Sequence, residues 1–318
     1  DLLWFKDRDT TFSPTVYDSS RGANKYIQSN SSNAENTSSD LMSSFDSDGF
    51  TTQNDPSSGN LFNYSSDKYI VWSWKANGGT TTTNDASATG IGSIDSTYQA
   101  NTDAGFSIVS YTGTGSEAQI AHGLSQAPNM VIIKNRSSSS NGQWVIGQDS
   151  SGFTGQMYFD TGAFSTNAGS FNNTAPTSTV VNVNTDNTTN ESGDSFIMYC
   201  FHSVEGYSKF GKYTANGNAD GPYVHLGFSP ALLIIKETDN SGPWIMFDNK
   251  RNTVNEISNT LSANTSAVED TGAFNDIDFL ANGFKIRDFT NSEPINRSNG
   301  ATYVYMAWAE APFKYSNA

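Results

Sequence analysis

A single cysteine, Cys200, stands among 318 residues, so no disulfide can close within the chain and no cysteine-built metal centre can form. Long apolar runs are missing as well. Stretches such as Met130 to Ile133 and Leu232 to Ile235 fall far short of the roughly 20 residues a membrane helix needs. No signal-like hydrophobic region precedes them, so membrane insertion is not expected. Positive charge is scarce: 17 Lys and Arg against 32 Asp and Glu give a formal charge of −15, which argues against a nucleic-acid surface. Only 15% of residues are charged and 35% apolar, so Ser, Thr, Asn and Gly dominate the remainder, a composition suited to turn-rich β-structure. What is present in quantity is aromatic. The 20 Phe, 14 Tyr and 6 Trp suffice to build cores and set the chain apart from disordered sequences.

The chain repeats itself. An apolar run ending in lysine and a polar turn occurs at Leu2-Leu3-Trp4-Phe5-Lys6, at Met130-Val131-Ile132-Ile133-Lys134 and at Leu232-Leu233-Ile234-Ile235-Lys236. Continuous apolar residues of this length fit strands covered on both faces. Ahead of the second and third runs lie matching approach segments, Phe106 to Gly113 and Tyr207 to Thr214; the first run has none. The chain opens at Asp1 inside a repeat, which reads as a fragment or a processed product.

Downstream, Tyr17-Asp18-Ser19-Ser20-Arg21 matches Phe247-Asp248-Asn249-Lys250-Arg251, and Phe45 to Phe50 matches Phe279 to Phe284. The Asp-Gly and Asn-Gly pairs in the latter segments are hairpin-turn chemistry. Each repeat closes on a strand of period two: Lys68 to Trp74, Ser195 to Phe201 and Thr302 to Trp308. Short helices are an option at Ala23 to Ser29 and Thr253 to Leu261, although propensity there is low. The expected architecture is all-β, with tandem β-sandwich modules, jelly-roll or immunoglobulin-like, of about 100 residues each. The boundaries fall at 1–77 for an amino-terminally incomplete module, 78–104 for a polar linker, and 105–206 and 207–318 for two full modules.

Chemistry-bearing patterns are sparse. His122, His202 and His225 show no metal-ligand spacing, and the near-equivalence of His122 and His225 suggests a repeated structural role. Gly193-Asp194-Ser195 has the look of a hydrolase nucleophile block, but no histidine follows His225 to act as its base. Gly113-x-Gly115 lacks the third glycine and the helix of a dinucleotide loop. Asp276 with Asp278 lacks the counterparts and glutamates of a glycosidase pair. No catalytic residue and no resident cofactor is expected. Asp46 and Asp48 are the place where a hard cation such as calcium could bind through oxygen ligands, although turn formation explains them as well. Alternate aromatics of the closing strands, Trp72 with Trp74 and Tyr303 with Tyr305, could stack on sugar rings if exposed. Asp18 with Arg21 and Asp248 with Arg251 read as turn-fixing ion pairs.

The ordered series Trp4 to Asp9, Tyr17 to Tyr26, Ser44 to Phe50, Trp72 to Ala76, Ala100 to Gly113, Asn282 to Lys285 and Met306 to Phe313 resembles the tandem modules of tail and fibre-type proteins of marine tailed bacteriophages, over essentially the whole chain. That resemblance implies a non-enzymatic virion structural protein on the extracellular particle, in contact with other virion subunits, self-associating, and able to meet host-surface glycans. It brings no catalytic residues. The alternative is a secreted protein that binds or degrades polysaccharide.

Overall fold

In the computed structural model, which describes residues 1–53, 63–64, 66–159, 162–272, 276–287 and 295–310, the chain is all-β. Antiparallel sheets of five, eight and five strands are accompanied by smaller ones of two or three. α-Helix among the described residues is confined to the single turns Ala86–Thr89, Ala168–Phe171 and Asn187–Asn190, each begun by an Asp or Asn whose side chain accepts from a first-turn amide. Two compact units result. The first comprises Asp1–Phe159, Ser165–Phe201 and Asn264–Val268, and the second holds the other residues.

One pairing arrangement occurs three times. Leu2–Asp7, Met130–Asn135 and Pro230–Glu237 each lie between the strand that follows them, Thr15–Asp18, Trp144–Gln148 or Ile245–Asp248, and a closing strand, Tyr69–Trp74, Ser195–Phe201 or Thr302–Ala309. The registers agree: Lys6 faces Ile70, Lys134 faces Ile197 and Lys236 faces Val304. In the second and third instances an approach strand, Phe106–Thr112 or Ser208–Thr214, adds to the outer side of the closing strand. There Tyr111 stacks on Phe196 at 5.1 Å and Tyr213 on Tyr303 at 5.0 Å. Each tyrosine hydroxyl donates to a main-chain carbonyl, of Thr189 and Ile295 respectively, at 2.6 Å.

Alternation of side chains places a core on each face of these sheets. In the first unit Leu3, Phe5 and Tyr17 pack with Leu41, Met42 and the hairpin of Met42–Phe45 and Phe50–Thr52. The opposite face brings Trp4 against Trp72 and Phe159, and Trp74 against Phe201, an aromatic layer that joins the five-stranded sheet to the eight-stranded one. Beyond the latter, Val109, Val131, Ile133, Met198 and Cys200 pack on the ribbon of Ala118–Ala121 and Val180–Val183. The second unit sets Leu233, Ile235, Phe247, Tyr303 and Tyr305 against Val224, Ile277, Phe284 and Ile286. Each large apolar side chain so buried contributes about 1.5–3 kcal/mol.

Several expectations from sequence are corrected. The stretch 78–104 is not a free linker: Thr82–Asn84 and Ser96–Asn101 are strands of the eight-stranded sheet, the latter paired with Phe106–Thr112. Tyr98 and Ala100 pack against the core there, which a composition count dominated by Thr and Gly conceals. Neither suggested helix forms. Lys25–Gln28 is a strand paired with Thr15–Asp18, and 253–261 carries isolated bridges at Ile257 and Thr260 instead. The expected hairpins are present, but Gly283 is there for close approach and not for a left-handed turn. A Cβ at that position would collide with the Val224 carbonyl oxygen. The motif residues 311–313 lie outside the described residues, as does Ser65 of the turn before the first closing strand.

Candidate functional site

A charged cluster of the first unit has Arg21 and Asp18 sealed from solvent at its centre. Arg21 donates through Nε to Asp18 Oδ2 at 2.5 Å, through Nη2 to the Val16 carbonyl at 3.0 Å and through Nη1 to Glu35 Oε2 at 3.3 Å. Tyr199 donates its hydroxyl to the same Asp18 oxygen at 2.7 Å. Glu35 also accepts from Lys25 at 3.0 Å and from Arg136 through Nε at 2.8 Å and Nη2 at 3.0 Å. The second unit repeats the motif with Arg251, which meets Asp248 at 2.6 Å, Glu269 at 3.0 Å and the Met246 carbonyl at 2.9 Å. Sequence pointed to both Asp–Arg turns. It did not reveal Glu35 and Glu269, because they reach the arginine from loops at unequal spacing. The buried Asp18, Arg21 and Glu35 groups are bonded to one another, so the network holds the fold.

Burial would raise the Glu35 carboxyl, but the hydrogen bonds from Arg136, the charge of Arg21 and the contact with Lys25 together hold it at about 2. Its folded pKa therefore lies below its unfolded one. Its contribution is present above about pH 4.5 and is lost as pH falls towards 2. With allowance for solvent reach it is about 2 kcal/mol. Acid titration of stability should accordingly be shallower over that window in Glu35→Gln than in the parent, and equal slopes would show that the carboxylate is not linked to folding.

The three lysines that end the repeated apolar runs are buried, and each Nζ donates to backbone carbonyls: Lys6 to Phe12, Lys134 to Ser32, Asn33 and Gly142, and Lys236 to Glu237 and Asn240. Burial pushes Lys6 down to about 8 and Lys134 down to about 7. They fasten loops, a role their place at the end of an apolar run did not reveal.

The aromatic candidates turn out to be core. Trp72 and Trp74 lie in the aromatic layer of the first unit and Tyr303 and Tyr305 in the core of the second, all four buried, so no ring face is open to a sugar. The physical reason is that these sheets are covered on both faces. Asp46 accepts from the hydroxyls of Ser44 at 2.7 Å and Thr51 at 2.8 Å, which lowers its pKa. With the amide of Asp46 donating to the Gly49 carbonyl at 2.9 Å, it closes the hairpin turn in which Asp48 is exposed. Among the described residues no three His, Cys, Asp or Glu side chains converge as a metal site. Asp194 accepts from Asn135 at 2.8 Å, and Gly193 has φ +84°, so Gly193-Asp194-Ser195 is a strand-entry turn. Asp278 is paired with Arg287 at 2.5 Å.

The histidines differ from one another. His122 is buried, its Nδ1 accepting from the Leu124 amide at 3.1 Å, whereas His225 is exposed on the strand Tyr223–His225. Strand alternation buries Val224 and turns Tyr223 and His225 to the same outer face. Tyr223 is 45% exposed. Its hydroxyl donates to Asn282 Oδ1 at 2.8 Å and lies 3.3 Å from His225 Nδ1. Across the sheet Tyr223 faces Lys285, which is paired with Asp220 at 2.7 Å. An aromatic ring is thus held by its own polar end among hydrogen-bonding side chains, in the arrangement that suits stacking on a polar ring. The sequence signal was the alternation Tyr223-Val224-His225 after Pro222, overlooked because His225 was matched to His122.

A family model for a domain of unknown function spans residues 1–312. The chain belongs to the DUF7483 family. No curated protein and no solved structure matches it. In this DUF7483 member a second exposed polar region lies in the first unit, a groove of about 290 Å³ lined by Thr83, Thr97, Ser110, Ser195 and Arg136 among others. Thr83, Thr97 and Ser110 occupy one register position on three adjacent strands. That groove offers hydroxyls but no exposed aromatic ring, so the Tyr223 face is the stronger candidate for stacking.

Proposed function

We propose that this DUF7483 chain is a non-enzymatic structural and binding component of a phage tail, fibre or surface appendage, and that the outer face at Tyr223 contacts host-surface glycans. The observation that carries the binding part is the exposed Tyr223 ring, tethered to Asn282 and His225, where the other described strand aromatics are buried or half-buried. The particle part rests on the series of sequence motifs that resembles tail and fibre modules. Of the two carboxylates Asp276 and Asp278, Asp278 is bonded to Arg287, which favours binding over hydrolysis.

A glycan array probed with the whole chain tests this reading. Saturable binding is expected, weakened about tenfold or more by Tyr223→Ala, since stacking and its hydrogen bonds together are worth at least 1.4 kcal/mol on the usual scale. Tyr223→Phe should retain most of the affinity because the ring remains. Binding indifferent to Tyr223→Ala would remove the site, and a shortened oligosaccharide in the supernatant would remove the non-enzymatic reading.

A further inference from the structure

One turn position carries a polar side chain in all three repeats, and its fate differs in each. The residue next after the one that faces Leu2, Met130 or Leu232 is Ser19, Asp149 or Asn249. In the first repeat the buried Gln99 fills the turn. Its Nε2 donates to Ser19 Oγ at 3.0 Å and to Ser20 Oγ at 2.7 Å, and its Oε1 accepts from the Gly79 amide at 2.9 Å. In the second, Asp149 accepts from Asn129 Nδ2 at 3.2 Å. The main-chain carbonyls of Asn129 and Ala231 accept from the amides of Asp149 and Asn249, so Ala231 stands in the third repeat where Asn129 stands in the second. Alanine has no donor to give, and Asn249 Oδ1 is buried with no hydrogen-bond partner among the described residues.

The orphaned oxygen belongs to the wall of a cavity. A space of about 300 Å³ beside the third turn is lined by Asn249, Lys250, Asn252, Asn255, Phe279 and Glu310 among others. Two of these asparagines are spent within the fold. Asn252 Oδ1 accepts from the amides of Ser258 and Asn259 at 3.3 and 2.7 Å. Asn255 exchanges two hydrogen bonds with the main chain of Phe279, both at 2.9 Å. Asn249 differs from both, because its side chain bonds to no described residue. A buried acceptor without a partner is a standing cost to the fold, and a bound donor removes it.

We infer that this cavity binds an N-acetylated sugar through its acetamido group. The first repeat shows the chemistry that suits the turn: the side chains at 19 and 20 are met by a carboxamide, that of Gln99. Their counterparts are Asn249 and Lys250, and no described side chain hydrogen-bonds to either. An acetamido group brings the same amide chemistry from outside. Its N–H donates to Asn249 Oδ1, and its carbonyl accepts from the exposed Lys250 ammonium. Val254, 74% exposed at the cavity, and the half-buried Phe279 supply apolar surface for the methyl group and for the C–H face of the ring. The volume stands at the lower end of the roughly 300–1,000 Å³ of ligand pockets, which suits one sugar ring and not a folded partner. This inference rests on the comparison of the three repeats and not on the Tyr223 face, whose Tyr223, His225 and Asn282 do not line the cavity.

The test titrates the whole, nitrogen-labelled chain with N-acetylglucosamine, N-acetylgalactosamine and N-acetylmannosamine in turn, read by nuclear magnetic resonance. At least one is expected to shift the side-chain amide of Asn249 and the main-chain amides of 249–255 saturably. Glucose, galactose and mannose, which lack the acetamido group, should bind at least about tenfold more weakly. Ala231→Asn restores the donor that Asn129 supplies in the second repeat. It should engage Asn249 from within and weaken binding about tenfold or more, with Asn249 still in place. Asn249→Ala should weaken binding to the same degree. It removes no side-chain hydrogen bond to a described residue, so the variant should fold, as circular dichroism will show. No saturable shift with any of the three sugars, equal binding of their parent hexoses, or undiminished binding in folded Asn249→Ala would overturn the inference. Saturable shifts at Asn249 from free glutamine, with none from the sugars, would assign the turn to a protein side chain and would equally overturn it.

Discussion

Replacing Arg21 with methionine is expected to destabilise the first unit by about 3–5 kcal/mol, the usual cost of removing one partner from a buried charge network. The reason is geometric. The guanidinium and the Asp18 carboxylate are both sealed from solvent, and Arg21 donates to Asp18, Glu35 and the Val16 carbonyl at once. Without it, Asp18 keeps the Tyr199 hydroxyl and the amide of residue 21 but no side-chain cation, and a buried carboxylate in that state either takes up a proton or draws in water. Chemical denaturation monitored by tryptophan fluorescence measures the effect. The double variant Arg21→Met with Asp18→Leu should recover a substantial part of the loss, because removal of both charges abolishes the desolvation penalty along with the attraction. A single variant within about 0.5 kcal/mol of the parent would show that the network is dispensable.

Gly142→Ala is expected to be nearly as damaging, about 2–4 kcal/mol, although it adds only a methyl group. A Cβ at Gly142 would fall within contact radius of the backbone oxygens of Ser32 and Ser138, which are not flexible side-chain ends. The Ser32 carbonyl is also one of the three oxygens that receive the Lys134 ammonium, and Gly142 supplies another. Moving either oxygen opens the cage around a buried cation that has no carboxylate among these hydrogen-bond partners, so steric overlap is compounded by lost hydrogen bonding. Gly49→Ala is the control, since a Cβ there meets nothing within 4 Å; its effect should stay within about 0.5 kcal/mol. Equal denaturation midpoints for the two variants would contradict the proposed role of the close approach.

Much of the scaffold was legible in the sequence because its signals are local. Apolar runs ending at Lys6, Lys134 and Lys236, alternation in the closing strands and the hairpin between Phe45 and Phe50 all depend on residues within a few positions of one another, and all form as strands and turns. What escaped depends on strand pairing that composition and propensity do not disclose. Lys25–Gln28 becomes a strand because Thr15–Asp18 is there to pair with it, which overrides a marginal helical propensity. Ser96–Asn101 is drawn into a sheet by Phe106–Thr112, although its polar composition suggests free chain. The buried state of Trp72, Trp74, Tyr303 and Tyr305 could not be read from period two alone, since alternation says that two faces differ and not that either is open. For the candidate site the lesson runs the other way. Tyr223 and His225 are exposed because alternation turns them to the face of the three-stranded sheet opposite the core that buries Val224, a fact of packing that no single segment discloses.

The embedding of Thr82–Asn84 and Ser96–Asn101 in the eight-stranded sheet bears on how such a gene can be shuffled. A crossover inside codons 78–104 would not exchange one self-sufficient module for another. It would pair the edge strands of one parent with the sheet interior of the other, whose side chains at Tyr98 and Ala100 must fit a foreign core. Selection should therefore tolerate breakpoints poorly in this polar stretch, despite its low complexity, and the two repeats on either side of it should be inherited as a block.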